Sequence, residues 1–209
     1  MAHPALVVID VQRDFCPGGS LAVKRGDAVV PRINRVTNAF EKAGFPVFFT
    51  RDWHPPDHCS FWSQGGPWPP HCVMETLGAE FHPDLKVPPR STVVSKASKR
   101  DSDAYSAFQG TDLAEQLKSR GVDEVFLGGL ATDYCVKESC FDAIANGFIT
   151  VVMTDCVKGV NLRRSDSTRA LHAMASRGAH LRTSAEAIRR CQSARPSILP
   201  RRAAMKSSS

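Results

Sequence analysis

Cys135 has the setting in this 209-residue chain that most invites covalent chemistry. It follows an apolar run at residues 124–127 and the stretch Gly128-Gly129-Leu130-Ala131-Thr132-Asp133-Tyr134. That order predicts a strand, a glycine-rich turn and a helix start, with Thr132 or Asp133 as the N-cap and Cys135 about three residues in. Unpaired N–H groups and the positive dipole end of a helix favour a thiolate there. The same amides can hold an oxyanion, so Cys135 suits attack on a carbonyl carbon. A cysteine at a helix start can equally be a small buried hydrophobe, the role expected for Cys140.

Three other apolar runs end near reactive groups. Residues 5–9 lead to Asp10, residues 46–50 to Asp52-Trp53-His54, and residues 92–95 to Lys96. Asp10 reads either as an Asx turn leaving a strand or as a general base whose pKa is raised by burial. Lys96 could pair with Asp10, favour the thiolate and stabilise a developing oxyanion. Asp52, His54 and His71 offer one carboxylate and two imidazoles. That set suits Zn²⁺, Fe²⁺ or Mn²⁺, with positions left for water or substrate. His58 is a further candidate ligand by proximity, while His82, His172 and His180 read as structural or surface residues.

These groups need elements that bring them to one place. Apolar runs at 5–9, 46–50, 92–95, 124–127 and 149–154, with a weaker one at 179–182, have strand length. Several do not alternate with polar residues, the habit of strands buried on both faces in parallel sheets. Helical patterns fall at about 29–43, 111–120, 133–146, 165–177 and 184–192. Gly44, Gly121, Gly147 and Gly178 stand where C-caps would. The expectation is an α/β domain: a doubly wound, mostly parallel six-stranded sheet with helices on both faces. In such a sheet, ligands sit beyond the carboxyl ends of the strands, where each candidate residue falls. Residues 52–91 break the rhythm, holding eight of the 14 prolines, four of the seven histidines and all three tryptophans. So long a segment rich in tryptophan reads as a folded site loop.

Composition narrows the function classes. The net charge of +6 suggests a polyanion partner until it is located. Arg189, Arg190, Arg195, Arg201, Arg202 and Lys206 account for all of it, and residues 1–188 carry 21 bases against 21 acids. The chain divides into a body at 1–192, neutral through residue 188, and a basic tail at 193–209, expected to be flexible. Nucleic acid is not an expected partner of the body because its charges balance, nor is a membrane, because no apolar run reaches about 20 residues. The seven cysteines form no C-x-x-C pair, and no secretory signal opens the chain, so reduced thiols and a cytoplasmic location are expected. No G-x-G-x-x-G follows the first strand, which disfavours a dinucleotide-binding oxidoreductase.

Four stretches carry a family resemblance. They are Val8-Ile9-Asp10-Val11-Gln12-Arg13-Asp14-Phe15, Thr50-Arg51-Asp52-Trp53-His54-Pro55, Trp68-Pro69-Pro70-His71-Cys72-Val73, and Gly128 to Val136 around Cys135. With residues 103–108, they resemble the nicotinamidase/pyrazinamidase branch of the isochorismatase-like cysteine hydrolases. The resemblance runs from about residue 5 to about residue 190. It implies hydrolysis of nicotinamide, or pyrazinamide-like analogues, to the acid and ammonia, a step in NAD salvage. It implies Asp10, Lys96 and Cys135 as the triad, and one divalent metal, zinc before iron or manganese, on Asp52, His54 and His71. Phe15, Trp68, Tyr105 and Tyr134 match positions around the substrate ring. A cis peptide before Ala131 would place its N–H beside that of Cys135 as an oxyanion hole. A superfamily amidase acting on another carboxamide or a carbamoyl group is the alternative, and a homo-oligomer stays open. The chain departs from the family pattern at Ala97, where glycine often follows the lysine.

Overall fold

The structure, a computed structural model, describes residues 2–193. Six strands form one sheet: β1 (Pro4–Ile9), β2 (Val47–Asp52), β3 (Thr92–Lys96), β4 (Glu124–Leu130), β5 (Ile149–Lys158) and β6 (His180–Arg182). All pairings are parallel, in the order β3-β2-β1-β4-β5-β6. The chain therefore reverses its direction of winding between β1 and β4, the switch point where ligands bind in doubly wound sheets. The helices are α1 (Val30–Ala43), α2 (Leu113–Ser119), α3 (Cys135–Ala145), α4 (Asp166–Ser176) and α5 (Ser184–Ser193). Of the basic segment expected at 193–209, only Ser193 lies within the described residues.

The central strands β1, β2 and β4 are mostly apolar because both faces are covered. In β1, Leu6 and Val8 join a core with Ile33, Val36 and Phe40 of α1 and Ala187 of α5. The alternate residues Ala5, Val7 and Ile9 join a second core with Leu117 of α2, Cys140 of α3 and Met174 of α4. In α1, Ile33, Val36, Thr37 and Phe40 recur at helical spacing, and the buried stripe ends where Gly44 takes φ 77°. That left-handed cap is the one its glycine predicted.

The last rungs of the sheet shape the site. The sequence places the end of strand five at residue 154, where Thr154 and Asp155 turn it polar. Instead β5 continues to Lys158 past a bulge in its pairing with β4 between Leu127 and Gly129. Gly129 has φ 127°, and a Cβ there would collide with the Ile9 carbonyl. Glycine thus lets the ends of β1 and β4 approach closely. β2 and β3 also run on, so Asp52 and Lys96 are themselves strand residues and partners in register. None of the described helices is long and apolar enough to cross a membrane.

Candidate active site

Lys96 is the hub of the buried end of the site. Its Nζ lies 3.1 Å from Asp10 Oδ2, 3.7 Å from Cys135 Sγ and 3.1 Å from the Ala104 carbonyl, and it also contacts Asp52 Oδ1. The Asp52 contact follows from register, since paired residues on parallel strands project to the same side. Asp10 sits just past β1 with φ 50° and is fully buried. Its Oδ1 accepts a 2.6 Å hydrogen bond from Thr50 Oγ1. Its Oδ2 has no hydrogen bond of good geometry, although Lys96 is beside it. A buried carboxylate oxygen without a hydrogen bond is a ready proton acceptor.

The electrostatics sharpen one expectation and reverse another. Burial raises the Asp10 carboxyl, against the opposing pull of Lys96, which suits a base. Burial disfavours charge on Lys96, but Asp10 and Asp52 outweigh it and hold the ammonium charged. For Cys135 the expected thiolate is not the resting form. Burial, joined by Asp10 and Asp52, pushes the thiol well up against the pull of Lys96. Any attack by sulfur therefore needs the proton removed as it happens. Cys140, expected to be inert, is pushed up to about 12 by burial alone.

The turn before Cys135 also differs from its expected form. Cys135 is the first residue of α3, preceded by Tyr134, and no side chain caps the helix. Asp133 turns to another loop, accepting from the Val160 and Asn161 N–H groups at 2.9 and 2.8 Å. The local spacing fits a cap, but two tertiary N–H partners compete for the same carboxylate. The Leu130–Ala131 peptide is cis, as the resemblance implies. Neither the Ala131 nor the Cys135 N–H donates in any turn, loop or cap hydrogen bond of the described residues.

Opposite the thiol stand Asp52, His54 and His71, which can each offer one ligand atom within 4.8 Å of the others. His54 Nδ1 is 3.0 Å from the His71 carbonyl, and His71 Nδ1 is 2.7 Å from the Pro69 carbonyl. A carbonyl only accepts, so each Nδ1 carries hydrogen, and in the neutral ring the lone pair is then on Nε2. Burial, opposed by the His71 carbonyl, lowers His54 to about 3, so it is neutral as a ligand must be. The donor set fits a divalent ion. His58 stacks on His54 at 4.4 Å, but its Nδ1 lies 2.7 Å from Ser60 Oγ and its Nε2 3.2 Å from the Ser102 carbonyl. It groups with His54 and Asp103 rather than with Asp52 and His71.

Between these halves lies a pocket lined by Phe15, Asp52, His54, Trp68, His71, Tyr105, Ala131, Tyr134 and Cys135. Asp10 and Lys96 sit behind it. Trp68 Nε1 donates to Tyr105 Oη at 2.8 Å, and the Trp68 and Tyr134 rings meet edge to face at 5.3 Å. Phe15 packs 5.6 Å from His71. Such a slot, with a thiol at one end and metal-type side chains at the other, suits a small planar ring carrying a carbonyl group. Leu21, Val23, Ser60, Asp103, Ala104 and Val160 complete the lining and were given no site role from sequence. Most are single small or apolar residues in loops, with no spacing to mark them.

Comparison with known proteins agrees with this geometry. The isochorismatase domain family matches residues 4–186. The nicotinamidase of Escherichia coli strain K12 is 39% identical over 207 residues, covering 89% of this chain and 97% of its own. The nicotinamidase/pyrazinamidase of Mycobacterium tuberculosis is 43% identical over 170 residues, covering 75% of this chain and 87% of its own. Among solved structures, the pyrazinamidase of Pyrococcus horikoshii in complex with zinc has a TM-score of 0.84 at 45% identity, covering 87% of this chain and 99% of its own.

Proposed function

The chain belongs to the isochorismatase family, and from that premise we propose that it is a metal-dependent cysteine amidohydrolase that converts nicotinamide to nicotinate and ammonia. The observation that carries this reading is the convergence of Asp10, Lys96 and Cys135 on one side of an aromatic slot whose other side holds three metal-type ligands. Similarity to two nicotinamidases and to a zinc-containing pyrazinamidase supports both the substrate and the metal.

Asp10 takes the Cys135 proton on Oδ2, the oxygen paired with Lys96, as Sγ attacks the amide carbon. The Ala131 and Cys135 N–H groups receive the oxyanion, and Lys96 stabilises the negative charge from below. Asp10 returns the proton to the departing nitrogen; the C–N bond breaks and ammonia leaves a thioester. Water then adds to the thioester, Asp10 relays its proton to sulfur, the C–S bond breaks, and the acid is released. Asp52, His54 and His71 would hold one divalent ion, with zinc first among zinc, iron and manganese. When bound, the ion supplies a Lewis-acid centre with open positions for a ring nitrogen or water. Phe15, Trp68, Tyr105 and Tyr134 would flank the ring and fix its plane. We assign the activity to residues 1–192. The seven free cysteines favour a reducing compartment, consistent with a cytoplasmic enzyme.

Ammonia release from nicotinamide tests the reading, on wild type and Cys135→Ala, each with and without a stringent chelator. Wild type should turn over, lose activity on chelation and regain it with zinc, while Cys135→Ala should stay inactive throughout. Full ammonia release by Cys135→Ala would refute the covalent scheme, and full activity after chelation would remove the metal from it.

A further inference from the structure

We infer that Gln12 is a positioning residue that holds Asp52 in its ligand-bearing posture, an inference that rests on the metal reading above. Gln12 is fully buried in the turn leaving β1, and none of the roles assigned so far uses it. Its side-chain nitrogen donates to the Asp52 carbonyl at 2.8 Å and to the Ala79 carbonyl at 2.9 Å. Its side-chain oxygen accepts from the Asp52 N–H at 2.8 Å. One side chain thus grips both backbone polar groups of one residue.

The topology explains why they need gripping. β1 and β2 pair in register as far as Ile9 and Thr50, and the Asp10 N–H still reaches the Thr50 carbonyl at 3.1 Å. There β1 turns away, at the positive φ of Asp10, while β2 continues to Asp52. The side of Asp52 that faced β1 has lost its strand partner, and orphan buried backbone groups are costly. The Gln12 carboxamide supplies one acceptor and one donor, as the next peptide of β1 would have done. On its other side Asp52 remains in register with Lys96. Held from both sides, its carboxylate can serve the lysine and a metal ion together. The bond to Ala79 ties the far part of the segment between β2 and β3 to the same point. Only an amide does all of this, because a carboxylate lacks the donor and an apolar side chain lacks both groups.

Zinc affinity of the full-length, metal-free protein tests the inference, measured by competition with a chromogenic chelator well below the melting temperature. Wild type is compared with Asp52→Ala, Gln12→Glu and Gln12→Met. Glutamate keeps the shape but sets a carboxylate against two carbonyl oxygens; methionine keeps the volume and removes both polar functions. Both Gln12 variants should bind zinc roughly tenfold or more weakly than wild type, moving towards Asp52→Ala, while their circular dichroism stays native. Wild-type zinc affinity in either folded variant overturns the inference, whatever happens to its melting temperature. Failure of both variants to fold also overturns it, by assigning Gln12 to the stability of the chain. Wild type binding zinc no better than Asp52→Ala refutes the metal reading itself, and that result is visible before any Gln12 variant is compared.

Discussion

On the thiol side of the pocket, Asp10, Lys96 and Ala131 stand at or just past the ends of β1, β3 and β4 of one parallel sheet. On the facing side, His54, Trp68 and His71 stand in the segment between β2 and β3, which carries two 3-10 turns, Trp62–Gln64 and Leu77–Ala79, and isolated bridges such as His54 with Val73. The first side is placed by ladders with an apolar core on each face. The second is placed by single hydrogen bonds: the His54 N–H to the Cys72 carbonyl, the Met74 N–H to the His54 carbonyl, and the Cys72 N–H to Asp14 Oδ2 at 2.7 Å. The sheet side therefore depends on its buried charges balancing, whereas the loop side depends on individual contacts.

Lys96→Met should give the largest effect, because it breaks the sheet side at its charge balance. It leaves Asp10 and Asp52, both buried, facing each other without a cation. Removing one partner of a buried ion pair costs about 3–5 kcal/mol. At about 2–4 °C per kcal/mol for a chain of this size, the melting temperature should fall by roughly 6–20 °C. Turnover of nicotinamide should fall by about a thousandfold or more, as expected when an interaction acting on the transition state is lost. Calorimetry and ammonia release measure the two losses; a variant as stable as wild type would show that Lys96 does not balance the aspartates.

Asp14→Ala addresses the loop side and should have an intermediate effect. Asp14 accepts the Cys72 N–H through Oδ2 and the Ser20 N–H at 3.2 Å through Oδ1. Hydrogen bonds to a charged group contribute about 1.5–3 kcal/mol, so melting should fall by roughly 3–12 °C. Because Cys72 follows His71, zinc affinity should also drop by about tenfold, the scale seen when support around a ligand is removed. Turnover should recover when excess zinc is supplied, which no addition achieves for Lys96→Met. Zinc affinity equal to wild type would mean that the loop holds His71 without this anchor.

What sequence could and could not disclose follows the same division. The central strands were legible because β1, β2 and β4 are apolar on both faces, and the candidate groups because an apolar run stops near each: Asp10, Asp52, Lys96 and the turn to Cys135. Helix ends were legible at Gly44, Gly121, Gly147 and Gly178, which all have positive φ. The metal-type set Asp52, His54 and His71 was also legible from residue chemistry. The pocket-lining Phe15, Trp68, Tyr105 and Tyr134 came only through resemblance, because loop aromatics have no period. Gln12 was hidden for a different reason. Its partners lie 40 and 67 residues away, and a lone amide leaving a strand reads as an ordinary turn residue. Asp133 was misplaced because its true partners are in the loop after β5.

Tyr105→Phe tests the wall shared by both sides and should have a smaller effect. It removes the acceptor for Trp68 Nε1 and nothing else from the aromatic slot. One neutral hydrogen bond contributes about 0.5–1.5 kcal/mol, so KM for nicotinamide should rise by roughly two- to tenfold. kcat should hold, because the ring wall does not touch the proton path. A fall in kcat with KM unchanged would instead place the Tyr105 hydroxyl in the chemistry.

The smallest effect is expected from Ala97→Gly, at the position where the resemblance leads one to expect glycine. Ala97 follows Lys96 with φ 50°, as Cys72 follows His71 with φ 46°, and Asp10 itself has φ 50°. On both sides of the pocket, a left-handed residue turns the chain sharply beside a functional side chain. Asp10 is compensated there by its bond from Thr50, whereas Ala97 has only a buried methyl. A left-handed L-residue costs about 1–2 kcal/mol, which glycine relieves. Against that stand about 0.5–1 kcal/mol of added unfolded-chain entropy and about 0.8 kcal/mol for the lost methyl burial. The contributions nearly cancel, so melting should stay within about 2 °C of wild type and kcat/KM within about twofold. A larger fall would show that the Ala97 methyl, rather than the turn, keeps the end of β3 in place, and the sheet side would then depend on a single contact as the loop side does.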